Sequence, residues 1–267
     1  MKKVLVIEDQ EAFSCMLMTL VAERFGYEAL SAASFAEASE VLKQHSDDIF
    51  VAIVDLNLPD APHGEAIDLV RGYHIPPLVF TGEYNKELRE KLIAKGVADY
   101  SVKEGNHSID YVINMVDRIY HNYASKVLVV DDDKSARDVI CSLLETQCFQ
   151  TLRAASGEEA LSVLEEHSDV TLAIIDYQMA GMDGLDLTRR IRESFDPTAL
   201  SIIGVSGYGN SDTTIAFIKY GACDFILKPF QQEEFLTRIN QVIRNHDVTH
   251  QLDTSNKQKN HLIGMAL

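Results

Sequence analysis

Residues 51–60 read VAIVDLNLPD, an apolar run of strand-forming residues that stops on a carboxylate, Asp55. Residues 172–179 read LAIIDYQM and stop in the same way, on Asp176. A lone aspartate after an apolar strand is ordinarily a turn former or a helix N-cap. Its return in the same setting raises the question of whether the chain contains one unit twice.

It does. VLVIED (4–9) returns as VLVVDD (127–132), 123 positions later, and VLKQHSD (41–47) returns as VLEEHSD (163–169), 122 later. Asp55 and Asp176 are 121 apart; Thr81 and Ser206 are 125 apart, as are Lys103 and Lys228. A period this long is no solenoid repeat. It marks two copies of one domain, and 267 residues suit two domains of ordinary size. We expect domains over 1–122 and 123–246. After about residue 246 the composition turns polar, so 247–267 is expected to be a linker or tail in which the last helix gives way.

Each copy alternates short apolar strands with amphipathic helices. In the first, strands are predicted near 3–8, 28–33, 49–54, 77–81 and 99–102. Between the second and third, Ser34 can cap a helix whose buried face is Phe35, Ala38, Val41 and Leu42. Strand–helix alternation with near-continuous apolar strands predicts an α/β fold, a doubly wound (βα)5 domain with a five-stranded parallel sheet, in each half. In open sheets of this kind ligands sit outside the carboxyl ends of the strands, where strand order switches. Glu8, Asp9, Asp55, Thr81 and Lys103 all fall there, as do Asp131, Asp132, Asp176, Ser206 and Lys228.

Those residue types point to one chemistry. Three carboxylates brought together repel one another unless a hard divalent cation joins them, and Mg²⁺ prefers oxygen ligands while keeping waters that a phosphate can displace. A lysine adds fixed positive charge, and Thr81 or Ser206 adds a hydroxyl donor. Together they suit a phosphoryl group, with the carboxylate itself able to act as the nucleophile.

Composition excludes other classes. The formal charge is -17, with no Lys/Arg-rich block, so phosphate backbones and anionic lipid are repelled: no nucleic acid and no membrane are expected as partners. No apolar run reaches the 18 residues of a membrane span. Only four apolar residues follow MKK before Glu8, too few for a signal peptide. Cys15, Cys141, Cys148 and Cys223 show no C-x-x-C spacing, which predicts a reducing, cytoplasmic setting without disulfides or zinc. His246 and His250, spaced i, i+4 in the polar stretch, are expected to be solvated.

On these residues the sequence resembles the receiver domains of two-component response regulators, over 1–120 and 125–245. The resemblance implies a flavodoxin-like fold with Asp55 and Asp176 as phosphoacceptors. It implies one Mg²⁺ per domain, held by Glu8, Asp9, Asp55 and the carbonyl of Asn57, and by Asp131, Asp132, Asp176 and the carbonyl of Gln178. Thr81 and Ser206 become switch hydroxyls, Lys103 and Lys228 the conserved-type lysines, and Tyr100 and Phe225 the aromatics that change rotamer on activation. MAGMDGLDL (179–187) is close to the family's MPxMDGxxL, with Ala180 in place of its proline. Glu104 follows Lys103 where the family usually has proline.

The expected function is phosphorelay signalling. The donor is a histidine kinase or a histidine phosphotransfer protein, and the output a change in the faces formed by about 84–120 and 211–245, through which a homodimer can also form. The expected chemistry is self-catalysed phosphotransfer and dephosphorylation, not that of a free-standing enzyme. Asn57 and Gln178 lack the acid that an aspartate-nucleophile phosphatase needs two residues after its nucleophile. Two alternatives remain: a scaffold with one silent receiver, or the regulatory front of a larger kinase or cyclic-dinucleotide enzyme. The tail KQKNHLIGMAL (257–267) resembles the approach to a histidine kinase dimerisation helix. The side chains two past each acceptor and each hydroxyl, Asn57 with Glu83 and Gln178 with Tyr208, predict faster loss of phosphate from Asp55.

Overall fold

The computed structural model describes residues 2–83, 85–207 and 211–265. They divide into two compact units, Met1–Ala124 with Thr146–Cys148, and Ser125–Glu145 with Phe149–Leu267.

In the first unit the strands are β1 (Lys3–Ile7), β2 (Glu28–Ala32), β3 (Ile49–Val54), β4 (Pro77–Thr81) and β5 (Asp99–Val102), within a residue of the sequence expectation. The helices between them are α1 (Glu11–Phe25), α2 (Phe35–His45), α3 (Glu65–Gly72), α4 (Lys86–Ala94) and α5 (Asn106–Asn122). All pairings are parallel and the order is β2-β1-β3-β4-β5. Side chains along a strand point alternately to opposite faces, and each face has its own core. Leu5, Ile7, Ala52, Val54 and Val79 pack under Ala38 and Leu42 of α2 and Ala66, Ile67 and Val70 of α3. Val4, Val6, Val51, Ile53 and Phe80 pack under Leu17 and Val21 of α1 and Ile113, Val116 and Ile119 of α5. That double coverage is why β3 reads as an unbroken apolar run: all six of its residues are buried. Ser34 caps α2, accepting from the Glu37 N–H at 3.2 Å.

The second unit repeats the design with β6 (Lys126–Val130), β7 (Gln150–Ala154), β8 (Val170–Asp176), β9 (Ser201–Ser206) and β10 (Asp224–Leu227). Its helices are α6 (Lys134–Thr146), α7 (Gly157–Glu166), α8 (Gly184–Ser194), α9 (Ser211–Lys219) and α10 (Gln232–Met265). Strand order is β7-β6-β8-β9-β10, all parallel. Both sheets are doubly wound, and strand order reverses between β1 and β3 and between β6 and β8, so the carboxyl ends of those strands open the cleft in which such folds bind ligands.

The polar composition beyond residue 246 does not end the last helix. α10 runs on to Met265. Its opening turns bury Phe235, Leu236, Ile239, Val242 and Ile243 against the sheet. From there to Gly264 the chain contains no proline and no glycine, and polar side chains on their own do not stop a helix. Ala266 and Leu267 of the expected tail lie outside the described residues. His246 is also not solvated: it is 8% exposed, with Nε2 3.2 Å from the Ala199 carbonyl oxygen.

Candidate functional site

Each unit gathers its charged strand-end residues at the switch point. Glu8 follows β1, Asp55 follows β3, Thr81 ends β4 and Lys103 follows β5. Glu8, Asp55 and Thr81 are buried, while Asp9 is exposed at the mouth of the site. The Lys103 ammonium bridges the two buried carboxylates, 2.7 Å from Glu8 Oε2 and 2.7 Å from Asp55 Oδ2. Burial is the largest influence on Glu8 and raises its carboxyl above the usual range, although Lys103 pulls the other way. Burial alone would lower the Lys103 pKa, but hydrogen bonds to Asp55 and Glu8 outweigh it, and the ammonium is held more firmly protonated.

Two rings complete the setting of Lys103. The Phe13 and Phe80 centroids lie 5.0 and 5.6 Å from Nζ, and the rings meet edge to face at 6.1 Å. The sequence did not single these residues out, because an aromatic on the first turn of α1 and another in β4 read as ordinary core. The Asn57 N–H donates to Asp55 Oδ1 at 3.4 Å. The Thr81 hydroxyl oxygen accepts from the Glu83 N–H at 3.2 Å. Tyr100 is half-buried against the core.

In the second unit Lys228 bridges Asp131 and Asp176, each at 2.7 Å. Burial raises the Asp176 carboxyl above its usual range against the pull of Lys228. Lys228, like Lys103, is raised because its carboxylate partners outweigh its burial. The Lys228 side chain is 24% exposed against 6% for Lys103, and positions 136 and 205, which match Phe13 and Phe80, hold Ala136 and Val205. Ser206 is fully buried, and Phe225 is buried against Phe217 with centroids 5.3 Å apart. Tyr208 lies outside the described residues.

Local sequence explains how the Asp176 backbone is held. Asp183 caps α8, accepting from the Asp186 N–H at 2.8 Å. Gly184 then lies so close to the end of β8 that an added Cβ would stand 2.3 Å from the Asp176 carbonyl oxygen. The Asp-Gly pair of residues 183–184 is therefore a fit to the Asp176 backbone.

Oxygen ligands for a hard cation are in place. Glu8, Asp9 and Asp55 each offer a carboxylate oxygen, and these atoms all lie within 4.8 Å of one another. The second trio is arranged differently: Asp131 and Asp176 converge on Lys228, but Asp132 Oδ2 accepts from the Ala180 N–H at 3.0 Å.

A doubly wound sheet with buried carboxylates bridged by a lysine at its switch point defines a receiver-type site, and known proteins agree. The family model described as the response regulator receiver domain matches residues 127–240. A solved structure described as a two-component system response regulator/GGDEF domain protein is 33% identical, with a TM-score of 0.85, over 92% of this chain and 100% of that one. The heme response regulator HssR of Staphylococcus epidermidis is 35% identical over 121 residues, 45% of this chain. The Staphylococcus aureus protein of the same name is 36% identical over 121 residues. The chain spans about half the length of these curated relatives, 52%. The chain belongs to the response regulator receiver family, as a tandem pair of receiver domains, which are signalling modules of two-component systems. Among the described residues no helix is long and apolar enough to cross a membrane.

Proposed function

We propose that residues 1–122 and 123–246 are two phosphoacceptors, each taking a phosphoryl group from a phosphohistidine donor, a histidine kinase or histidine phosphotransfer protein, onto Asp55 and Asp176. The observation that carries this reading is the lysine bridge made twice, with the ammonium 2.7 Å from the acceptor in both units. An ammonium so placed fixes the carboxylate and stands ready for the charge of an incoming phosphoryl group. In the transfer a carboxylate oxygen bonds to phosphorus while the phosphorus–nitrogen bond breaks, and that electron pair leaves with the donor imidazole. The product is an acyl phosphate.

The residues fit a divalent cation, since hard oxygen atoms converge to within 4.8 Å in the first unit. Glu8, Asp9, Asp55 and the Asn57 carbonyl would hold one Mg²⁺, and Asp131, Asp132, Asp176 and the Gln178 carbonyl another. When bound it supplies charge neutralisation for the transferring group. The chain's own donors do the rest. Thr81 and Ser206 turn their hydroxyls to a phosphoryl oxygen, and Tyr100 and Phe225 change rotamer with them. The faces around α4, β5 and α5 and around α9, β10 and the start of α10 then change for a partner or a second copy. The chemistry is self-catalysed transfer and loss of phosphate, in a cytoplasmic setting.

A second element of the reading is that the tandem regulates a further domain of a longer protein. The similar solved structure is described as a response regulator/GGDEF domain protein, which favours the cyclic-dinucleotide alternative over the kinase one. Reading the coding sequence past residue 267 tests it.

The test of the acceptors is labelling with acetyl phosphate and Mg²⁺. Asp55→Ala and Asp176→Ala should each remove half the label and the double variant all of it. A single variant that already abolishes labelling overturns the two-acceptor reading.

A further inference from the structure

The two sites differ in the fourth residue after the acceptor: Pro59 after Asp55, Ala180 after Asp176. Proline has no N–H to give. Alanine has one, and that of Ala180 is bound to Asp132, 48 residues away in sequence, at 3.0 Å. Asp132 is the counterpart of Asp9 in the repeat. With proline at position 59, the Asp9 carboxylate converges with those of Glu8 and Asp55. With alanine at position 180, the Asp132 carboxylate is held by the loop, and among the described residues the second trio does not gather as the first does. One chain thus contains both arrangements on one fold.

We propose that residues 59 and 180 are positioning residues that set the divalent-cation affinity of their sites, the Ala180 N–H holding Asp132 away from Asp131 and Asp176. This rests on reading the acidic trios as cation sites. A hydrogen bond to an ionised carboxylate is stronger than a neutral one, and it must break before all three carboxylates can share a cation. The second site accordingly binds Mg²⁺ about tenfold more weakly than the first, the ratio expected for one such bond. Filling the second site also releases the loop at residue 180, next to the acceptor. Filling the first leaves its loop as it was, because position 59 has no bond to lose.

The experiment is a Mg²⁺ titration of the full 267-residue chain, labelled with ¹⁵N, following the amides that flank Asp55 and Asp176 separately. Wild type should show the second site about tenfold weaker. Ala180→Pro should bring it to within about twofold of the first, while Ala180→Gly, which keeps the N–H, should leave it as in wild type. Pro59→Ala should weaken the first site several-fold. The Ala180 amide proton should move upfield as the second site fills, a change that a purely packing role would not produce. Equal affinities indifferent to the swaps, or an Ala180 amide that keeps its position at saturation, overturn the inference while leaving the cation sites intact. Absence of binding at both sites removes the cation sites and the inference together. If Ala180→Pro fails to fold, the Ala180 amide in wild type and the Pro59→Ala titration still decide.

Discussion

The ammonium of Lys103 lies 5.0 Å from the centre of the Phe13 ring, so the cation that bridges Glu8 and Asp55 is itself set against an aromatic face. The matching positions of the second unit hold alanine and valine, and the Lys228 side chain is more exposed. A cation–π contact at a water-poor site contributes about 1–2 kcal/mol. A double-mutant cycle of Phe13→Leu with Lys103→Met should give a coupling of about 1 kcal/mol, read from urea unfolding through first-domain signals. Ala136→Phe in the second unit should shield Lys228 and slow exchange of its ammonium protons. A cycle that closes at zero would reduce Phe13 to packing.

The two acyl phosphates should decay at different rates. Asn57 stands two past Asp55 and Gln178 two past Asp176, and the longer side chain covers more of the phosphoryl group against water. Phosphate on Asp55 is expected to hydrolyse several-fold faster, measured in single-acceptor variants. Gln178→Asn should speed decay at Asp176.

Gly184 has no room for a methyl group. A Cβ there would meet the Asp176 carbonyl oxygen at 2.3 Å and the Tyr177 Cα at 3.0 Å, backbone atoms that cannot step aside cheaply. Gly184→Ala should cost about 3 kcal/mol or more in the second domain and abolish labelling at Asp176 while sparing Asp55. Retained labelling at both aspartates would show that the loop yields.

His246 gives the second domain a pH dependence. Pairing with Asp247 raises its pKa above the ordinary 6.5, with burial opposing and the Ala199 carbonyl assisting. Because the folded value is raised, the stabilisation is fully present below about pH 6.5 and is lost as pH rises through the folded pKa. The advantage of wild type over His246→Asn in urea unfolding should therefore be larger near pH 5.5 than near pH 8.5, by up to about 1 kcal/mol. A pH-independent difference would remove the titration from the account.

The parallel sheets were legible because a strand covered on both faces must be apolar at every position, as β3 is. The buried carboxylates and lysines were legible because their types recur at the ends of matching strands. Three features were not. Phe13 carries the same signal whether it packs against leucine or against an ammonium. The bond from Ala180 to Asp132 depends on where a backbone N–H points, which residue type alone does not encode, although proline in one copy and alanine in the other marked the place. The run of α10 past residue 246 was not legible from polarity, because the physical helix stops are proline and glycine and neither occurs until Gly264.

That long helix is also a lever. Its first turns are seated on the sheet beside β8, β9 and β10, and from His246 to Met265 it continues for about 28 Å at about 1.5 Å per residue. A helix of that length would magnify a change of angle at its seat: each degree of tilt there displaces the axis by about 0.5 Å at the far end. A small change of angle where the helix leaves the second domain would therefore be enlarged some 30 Å along the chain (an order-of-magnitude length from the helical rise).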